Sequence, residues 1–372
     1  MSALSKKYNN FLAPEAVIKI NGQKLSEKHI YFSSLEVDKS YDSADTFSFT
    51  ISDAINLEFE PKHKGLFSLG NQVEIYIGYA QNSDKESNLL FVGLITNVNW
   101  NFEQGNYLDI SVEGEDFSFL LMKHKHKGSF KEKSSSDIVQ TLVDTYYKNF
   151  LSKTKIDTTK IVHDKYEHKE TSDYLFMQKL AKDIDYEFFI DKRKLVFQSS
   201  PKKQTSTLTL HYGQEILGFK PELNIGKEVS KVRVVSLLIS SDKKQIIGEA
   251  ELKREKDTCS GNDIGIKTLQ RKLESVTYEI RKPVHSIEEA KKEAEALLQK
   301  FSLNYLKAEI KSIGIPELKP GITISLKGLG NRFSCSYYVE KVVHRISDQG
   351  YESTISVRGG SNAFTISTSE GK

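Results

Sequence analysis

The sequence predicts a mainly β protein with α/β insertions, built as two tandem tube-like antiparallel β-barrel domains plus a small α/β domain. Three observations predict this. A three-part stretch occurs twice, at residues 70–78, 90–100 and 104–114, and again at 321–328, 335–345 and 349–359. The last part of each copy reads Gln-Gly-x-x-x-x-Ile-Ser-Val-x-Gly without a gap. Both copies alternate with period two, Val73, Ile75 and Ile77 in one against Ile322, Ile324 and Leu326 in the other, which marks half-buried strands. Finally, two helical patterns fall together in one block, 128–205, between the strand-rich regions. Unrelated meanders also resemble one another, but here the order of the parts and the turn chemistry both recur.

Residues 1–15 read as a polar, flexible N-terminus. The first barrel domain is placed at 16–127. It opens on 16–20, turns at Asn21-Gly22, a strong tight-turn pair, and continues through 31–37. In the next strand Phe47, Phe49 and Ile51 share one face. The run 121–133 is a basic connector in which His124 and His126 stand two apart. Without a third ligand nearby they read as part of a solvated loop rather than a metal pair.

The α/β domain is placed at 128–205. Ser134 to Asp137 caps a helix that carries Ile138, Leu142 and Tyr146 beside Val139, Val143 and Tyr147. A second helix starts near Thr171-Ser172-Asp173, with Phe176, Leu180 and Ile184 four apart, and runs into a hairpin at 186–197. The second barrel domain is placed at 206–360, with an inserted helix at 286–303. Ser286 and Glu289 form its capping box, and Ala290, Ala294, Leu297, Leu298 and Phe301 its apolar stripe. Residues 253–263 read as a charged loop and 361–372 as a C-terminal tail.

Composition narrows the function. Lys and Arg total 53 against 50 Asp and Glu, a net +3, which excludes a globally electrostatic nucleic-acid binder but leaves room for a local basic patch. Cys259 and Cys335 form neither a zinc pattern nor a disulfide framework, which points to a reducing compartment. No apolar run reaches the ~20 residues of a membrane helix, and the first residues lack the core of a signal peptide. There is no phosphate loop and no nucleophile elbow, and Gly328-Leu329-Gly330 opens no dinucleotide-type helix. His344, beside Val342 and Val343, reads as a packed strand histidine. The chain is therefore expected to be no enzyme, with no catalytic residue, cofactor or metal.

Three stretches carry a resemblance. Ile315-Pro-Glu-Leu-Lys-Pro-Gly-Ile-Thr-Ile-Ser-Leu-Lys-Gly-Leu-Gly, then Tyr337-Tyr-Val-Glu-Lys-Val-Val-His-Arg, then Gly350-Tyr-Glu-Ser-Thr-Ile-Ser-Val-Arg-Gly resemble the C-terminal part of the phage late control protein D family. The helix from Ser286, the run Thr171-Ser-Asp-Tyr-Leu-Phe-Met-Gln-Lys-Leu-Ala and Leu90-Phe-Val-Gly-Leu-Ile resemble it in the same order, over about 16–360. These are baseplate hub proteins, similar to the hub half of type VI secretion VgrG. The resemblance implies a homotrimer that joins a hexameric inner tube to a trimeric spike, with other baseplate proteins as neighbours and no catalysis. No β-prism or glycan-cleaving module follows residue 359, so spike and hydrolase are expected on separate chains.

On that reading the polar members of the alternating strands, Glu74, Tyr76, Thr323 and Ser325, are candidates for a lumen or solvent face. No specific nucleic acid and no membrane span are expected, and assembly is expected in a bacterial cytoplasm. A cell-wall or glycan-binding β-protein is the alternative, with a tail-associated peptidoglycan hydrolase behind it.

Overall fold

The structure is a computed structural model that describes residues 3–52, 62–63, 65–79, 85–101, 109–159, 162–184, 186–199, 206–224, 229, 231–239, 245–253, 277–282, 284, 286–302, 306–359 and 365–370. The protein is mainly β. Its chain divides into two compact units, Met1–Ser200 with Ile313–Pro320 and Lys341–Thr354, and Pro201–Ser312 with Gly321–Glu340 and Ile355–Lys372.

Unit 1 begins with α1 (Ala3–Lys7), β1 (Pro14–Ile20), β2 (Gln23–Lys24), β3 (Ser34–Ser40), β4 (Thr46–Ile51), β5 (Gln72–Tyr79), β6 (Leu89–Asn101) and β7 (Asp109–Asp116). The β1–β2 turn places Asn21 at φ 49° and Gly22 at φ 80°, the left-handed pair that a two-residue hairpin requires. Every pairing is antiparallel, in the order 341–346, β3, β4, β7, β6, β5, β1, β2. Ile346 and Tyr351, from one end of this order, share a core with Ile18 and Ile20 from the other, so the sheet is curled around a single interior. Phe47, Phe49 and Ile51 enter that core as the alternation predicts.

Gly114 sits where a Cβ would overlap the Leu94 carbonyl and the Phe47 ring. We expect Gly114→Ala to lower stability by about 1–3 kcal/mol, as overpacked cores do, read by urea unfolding.

The N-terminus corrects an expectation. Residues 3–12 are folded rather than flexible. Leu4 is buried, the Tyr8 and Phe11 rings lie 5.4 and 5.6 Å from the Tyr79 ring, and Lys7 pairs with Glu317. Two aromatic rings hidden in a polar stretch supply the anchor.

The remainder of unit 1 holds α2 (Ser118–Lys123), β8 (Gly128–Ser134), α3 (Ser135–Leu142), β9 (Lys153–Ile156), β10 (Val162–His168), α4 (Asp173–Lys182), β11 (Tyr186–Asp191) and β12 (Lys194–Ser199). Ser134 and Asp137 cap α3 reciprocally. A π-type turn at Val143–Tyr147 shifts the helical phase, which buries Tyr147 and leaves Tyr146 42% exposed. Both helices bury their stripes with the β11–β12 hairpin and with Val92 on the non-core face of β6. The connector at 121–133 is not a loop throughout, since α2 and β8 occupy most of it.

From residue 201 onward the elements are β13 (Leu208–His211), β14 (Ile216–Leu223), β15 (Lys231–Ile239), β16 (Gln245–Lys253), β17 (Thr277–Lys282), α5 (Ile287–Ser302), β18 (Leu306–Ile313), β19 (Thr323–Lys327), α6 (Gly330–Phe333), β20 (Ser336–Ser347), β21 (Gly350–Arg358) and β22 (Thr365–Glu370), of which 341–354 count with unit 1 and nearly all the rest with unit 2. Six of these pair in the order β13, β19, β20, β21, β18, β14. The two ends meet at a tight turn, where Tyr212 bridges Ile216 and Gly213 has φ 78°. In unit 1 the corresponding order is β1, β5, β6, β7, β4, β3, so the sequence repeat recurs as a repeat of topology. One pairing differs, because β1 runs antiparallel to β5 whereas β13 runs parallel to β19.

A second sheet, β17-β15-β16-β22, carries α5 on one face, with Val232, Val234, Ala250, Ala290, Ala294 and Leu298 in the core between them. Ser286 caps α5 by accepting from the Glu289 amide. Two expectations fail here. Residues 365–370 form β22 on β16 rather than a free tail, because a small polar run can still complete an edge through backbone hydrogen bonds. Cys335 is disulfide-bonded, and the chain's other cysteine, Cys259, lies outside the described residues. The charged loop expected at 253–263 also lies almost wholly outside them.

Candidate functional site

The polar sheet faces singled out by alternation can now be placed. On β5, Glu74 accepts from Gln72 Nε2 at 3.1 Å and from the Tyr76 hydroxyl at 2.9 Å, and Lys19 Nζ lies 4.5 Å from the Tyr76 ring centroid. Glu74 stands opposite Val92, so it shares the non-core face of the sheet. Tyr76 shares that non-core face with Glu74, outside the core that holds Val73, Ile75 and Ile77, but it is covered there and only 5% exposed. On β19, Ser325 is half-buried and lies between Thr209 and Ser336, whereas Thr323 is 2% exposed opposite Tyr338. Of the four candidates, Glu74 and Ser325 are accessible, and Tyr76 and Thr323 are covered.

Two buried polar clusters in unit 1 escaped the sequence reading. In the first, Lys39 Nζ donates to Asp45 Oδ2 at 2.5 Å and to the Leu90 carbonyl at 3.2 Å, with Asp191 Oδ1 at 4.0 Å. Burial lowers the Lys39 pKa, but the carboxylates outweigh it and raise the ammonium above its ordinary value. Burial also lifts Asp45 against the pull of Lys39. The charged pair is nevertheless the state these contacts satisfy, since Asp45 Oδ1 accepts the Ser40 amide as well. Asp116 is pushed well above the usual carboxylate range, first by burial and then by the charge of Asp45, and it accepts from the Ser118 amide and hydroxyl. Both Lys39 and Asp116 continue buried apolar alternations, Leu35-Val37-Lys39 and Ile110-Val112-Gly114-Asp116. A charge in the apolar phase of a strand was the available signal.

The second cluster centres on Asp173, whose side chain is fully buried. It accepts from the His126 amide at 2.8 Å, His126 Nδ1 at 2.5 Å, His168 Nε2 at 2.7 Å and the Tyr147 hydroxyl at 2.5 Å. Burial raises its pKa, but these bonds prevail and hold the carboxyl below its usual range. Sequence had read Asp173 only as a helix-start residue and His126 as part of a loop. Among the described residues no group of three or more His, Cys, Asp or Glu has the arrangement of a metal site.

A cavity of about 420 Å³ in unit 1 is lined by His63, Phe67, Leu69, Asn97, Val98 and Trp100.

The fold is that of tail proteins. The 43 kDa tail protein of prophage MuSo2 from Shewanella oneidensis matches at TM-score 0.69 and 15% identity, over 95% of this chain and all of that one. A tail protein of Neisseria meningitidis MC58 matches at 0.66 and 13%, over 94% and 98%. An E. coli type VI secretion component, described as similar in structure to T4 tail proteins gp27 and gp5, matches at 0.58 and 13%, over 93% and 77%. At the sequence level the chain belongs to the family described as Alg8 N-terminal domain, whose model matches residues 13–348. That family, rather than late control protein D, is the one the chain matches, and its description names a domain and no activity. No curated protein matches the chain. No helix among the described residues is long and apolar enough to cross a membrane.

Proposed function

We propose that this chain is the structural baseplate hub of a contractile injection system or phage tail. In this reading it is a homotrimer whose six β-units adapt a hexameric inner tube to a trimeric spike, with other baseplate proteins packed around it. The observation that carries it is the same six-strand order occurring twice in one chain. Three copies then present six similar units on one side while keeping threefold symmetry for the other, and cyclic head-to-tail contacts close such rings. The proposed bodies are 16–127, 128–205 and 206–360, with the α/β body outside the tube and with Glu74 and Ser325 as lumen candidates. The role is architectural, with no catalysis, and assembly takes place in the cytoplasm.

The test is the symmetry and stoichiometry of this protein in purified native particles, by electron microscopy and quantitative mass spectrometry. Three copies per particle, equal to the spike chain, are expected. Six copies in one ring, or no association with tube and spike chains on co-expression, overturn the reading. A glycan-binding function has one observation on its side, Trp100, which is 41% exposed in the cavity described above. Retention on a peptidoglycan column that a Trp100→Ala variant loses favours that function instead.

A further inference from the structure

The basic connector that sequence set aside is tied to the start of α4 by hydrogen bonds. Residue 173 grips it on both sides of Lys125. The Asp173 amide donates to the His124 carbonyl at 3.0 Å, and the Asp173 carboxylate accepts the His126 amide at 2.8 Å. The ring of His126 stacks on Tyr146 with centroids 3.6 Å apart and planes 10° apart, and His124 meets the His126 ring edge-on at 5.3 Å. The two histidines therefore lie on one side of an extended run, and Lys125 points to the other. Lys123, Lys125, Lys127 and Lys131 are all exposed.

No carboxylate among the described residues pairs with these four lysines. The nearby acid of β10, Glu167, is already bridged by Lys165 at 2.5 Å and by Lys169. The segment 123–133 holds five lysines against one acid, Glu132. Neighbouring cations repel one another, and the bonds from the fully buried Asp173 hold the backbone on both sides of Lys125, which keeps the positive charge gathered along this segment. Lys125 and Lys127 alternate in the extended run at a repeat of ~7 Å, the spacing at which alternate carboxylates of an extended acidic peptide also recur, while Lys123 ends α2 with its Nζ 5.3 Å from the Phe119 ring centroid.

We propose that Lys123, Lys125, Lys127 and Lys131, on a segment whose backbone Asp173 grips at His124 and His126, form a docking surface for an acidic segment of a partner protein. An acidic peptide fits better than a nucleic acid, whose affinity grows with the number of phosphates neutralised, because the whole chain carries a net charge of only +3. The surface needs no assembled particle to act, so its test is independent of the hub reading.

The experiment is fluorescence anisotropy of the full chain with fluorescein-labelled decaglutamate. Saturable binding is expected that weakens about tenfold between low and physiological salt. The triple variant Lys125→Glu/Lys127→Glu/Lys131→Glu should lose about tenfold or more, and the charge-removing Lys→Gln triple should lose less but in the same direction. A control triple at the exposed Lys220, Lys307 and Lys327 should bind as the parent does. No binding by the parent, equal loss in the control triple, or tighter binding of a DNA duplex overturns the proposal.

Discussion

Lys39→Ala should cost about 3–5 kcal/mol of stability in urea unfolding, the cost of leaving buried charge without its partner. The side chain is 5% exposed and its ammonium touches Asp45, with Asp191 beyond. Removing it leaves the Asp45 carboxylate buried with only the Ser40 amide. Asp116 sets the pH dependence of this cluster. Its folded pKa lies above the unfolded value, so its contribution is complete below the ordinary carboxylate range and is lost as pH rises through the raised value. Asp116→Asn keeps the uncharged state at every pH, so the variant should gain stability relative to the parent as pH increases. If Lys39→Ala melts within about 1 kcal/mol of the parent, the cluster carries little of the fold's stability.

Acid should destabilise unit 1 chiefly through His344. This ring is buried, accepts at Nδ1 from the Tyr351 hydroxyl at 2.7 Å and donates from Nε2 to the Leu318 carbonyl at 3.0 Å. Burial holds its pKa down to about 3. A histidine lowered in the folded state contributes stability above its unfolded pKa, near 6.5, and loses it as pH falls toward the folded value. The loss therefore spans about pH 6.5 to 3 and amounts to as much as roughly 5 kcal/mol. His344→Gln, which cannot take up the proton, should be weaker at neutral pH but show a flatter acid limb. An acid limb as steep in the variant as in the parent would assign the loss to other groups.

The strands were legible because period two survives in a sheet with one buried face. Phe47, Phe49 and Ile51 needed no tertiary information to be placed inside. Strand direction was not legible, since alternation is the same whether a neighbour runs parallel or antiparallel. The β13–β19 pairing was therefore invisible. Tyr76 keeps the face that period two assigns it, beside Glu74, but its being covered there is a tertiary fact that alternation does not mark. His126 looked solvated because its partner, Asp173, is 47 positions away and its grip is made through backbone as well as ring. Lys39 and Asp116 sat in the apolar phase of their strands. Charges there had to be buried with partners, but the partners could be named only from the folded chain.

The repeated strand order also shows where this architecture can grow. In unit 2 the passage from β14 to β18 carries three strands of the second sheet, β15 to β17, and the helix α5 within residues 224–305, whereas in unit 1 the equivalent passage from β3 to β4 is the turn at 41–45. That short turn is closed by Asp45, which Lys39 holds from within. One joint of the template is thus a socket that accepts additional modules, and its counterpart is welded shut. An engineer seeking to splice a foreign domain into this scaffold should cut within the unit 2 passage and leave 41–45 intact.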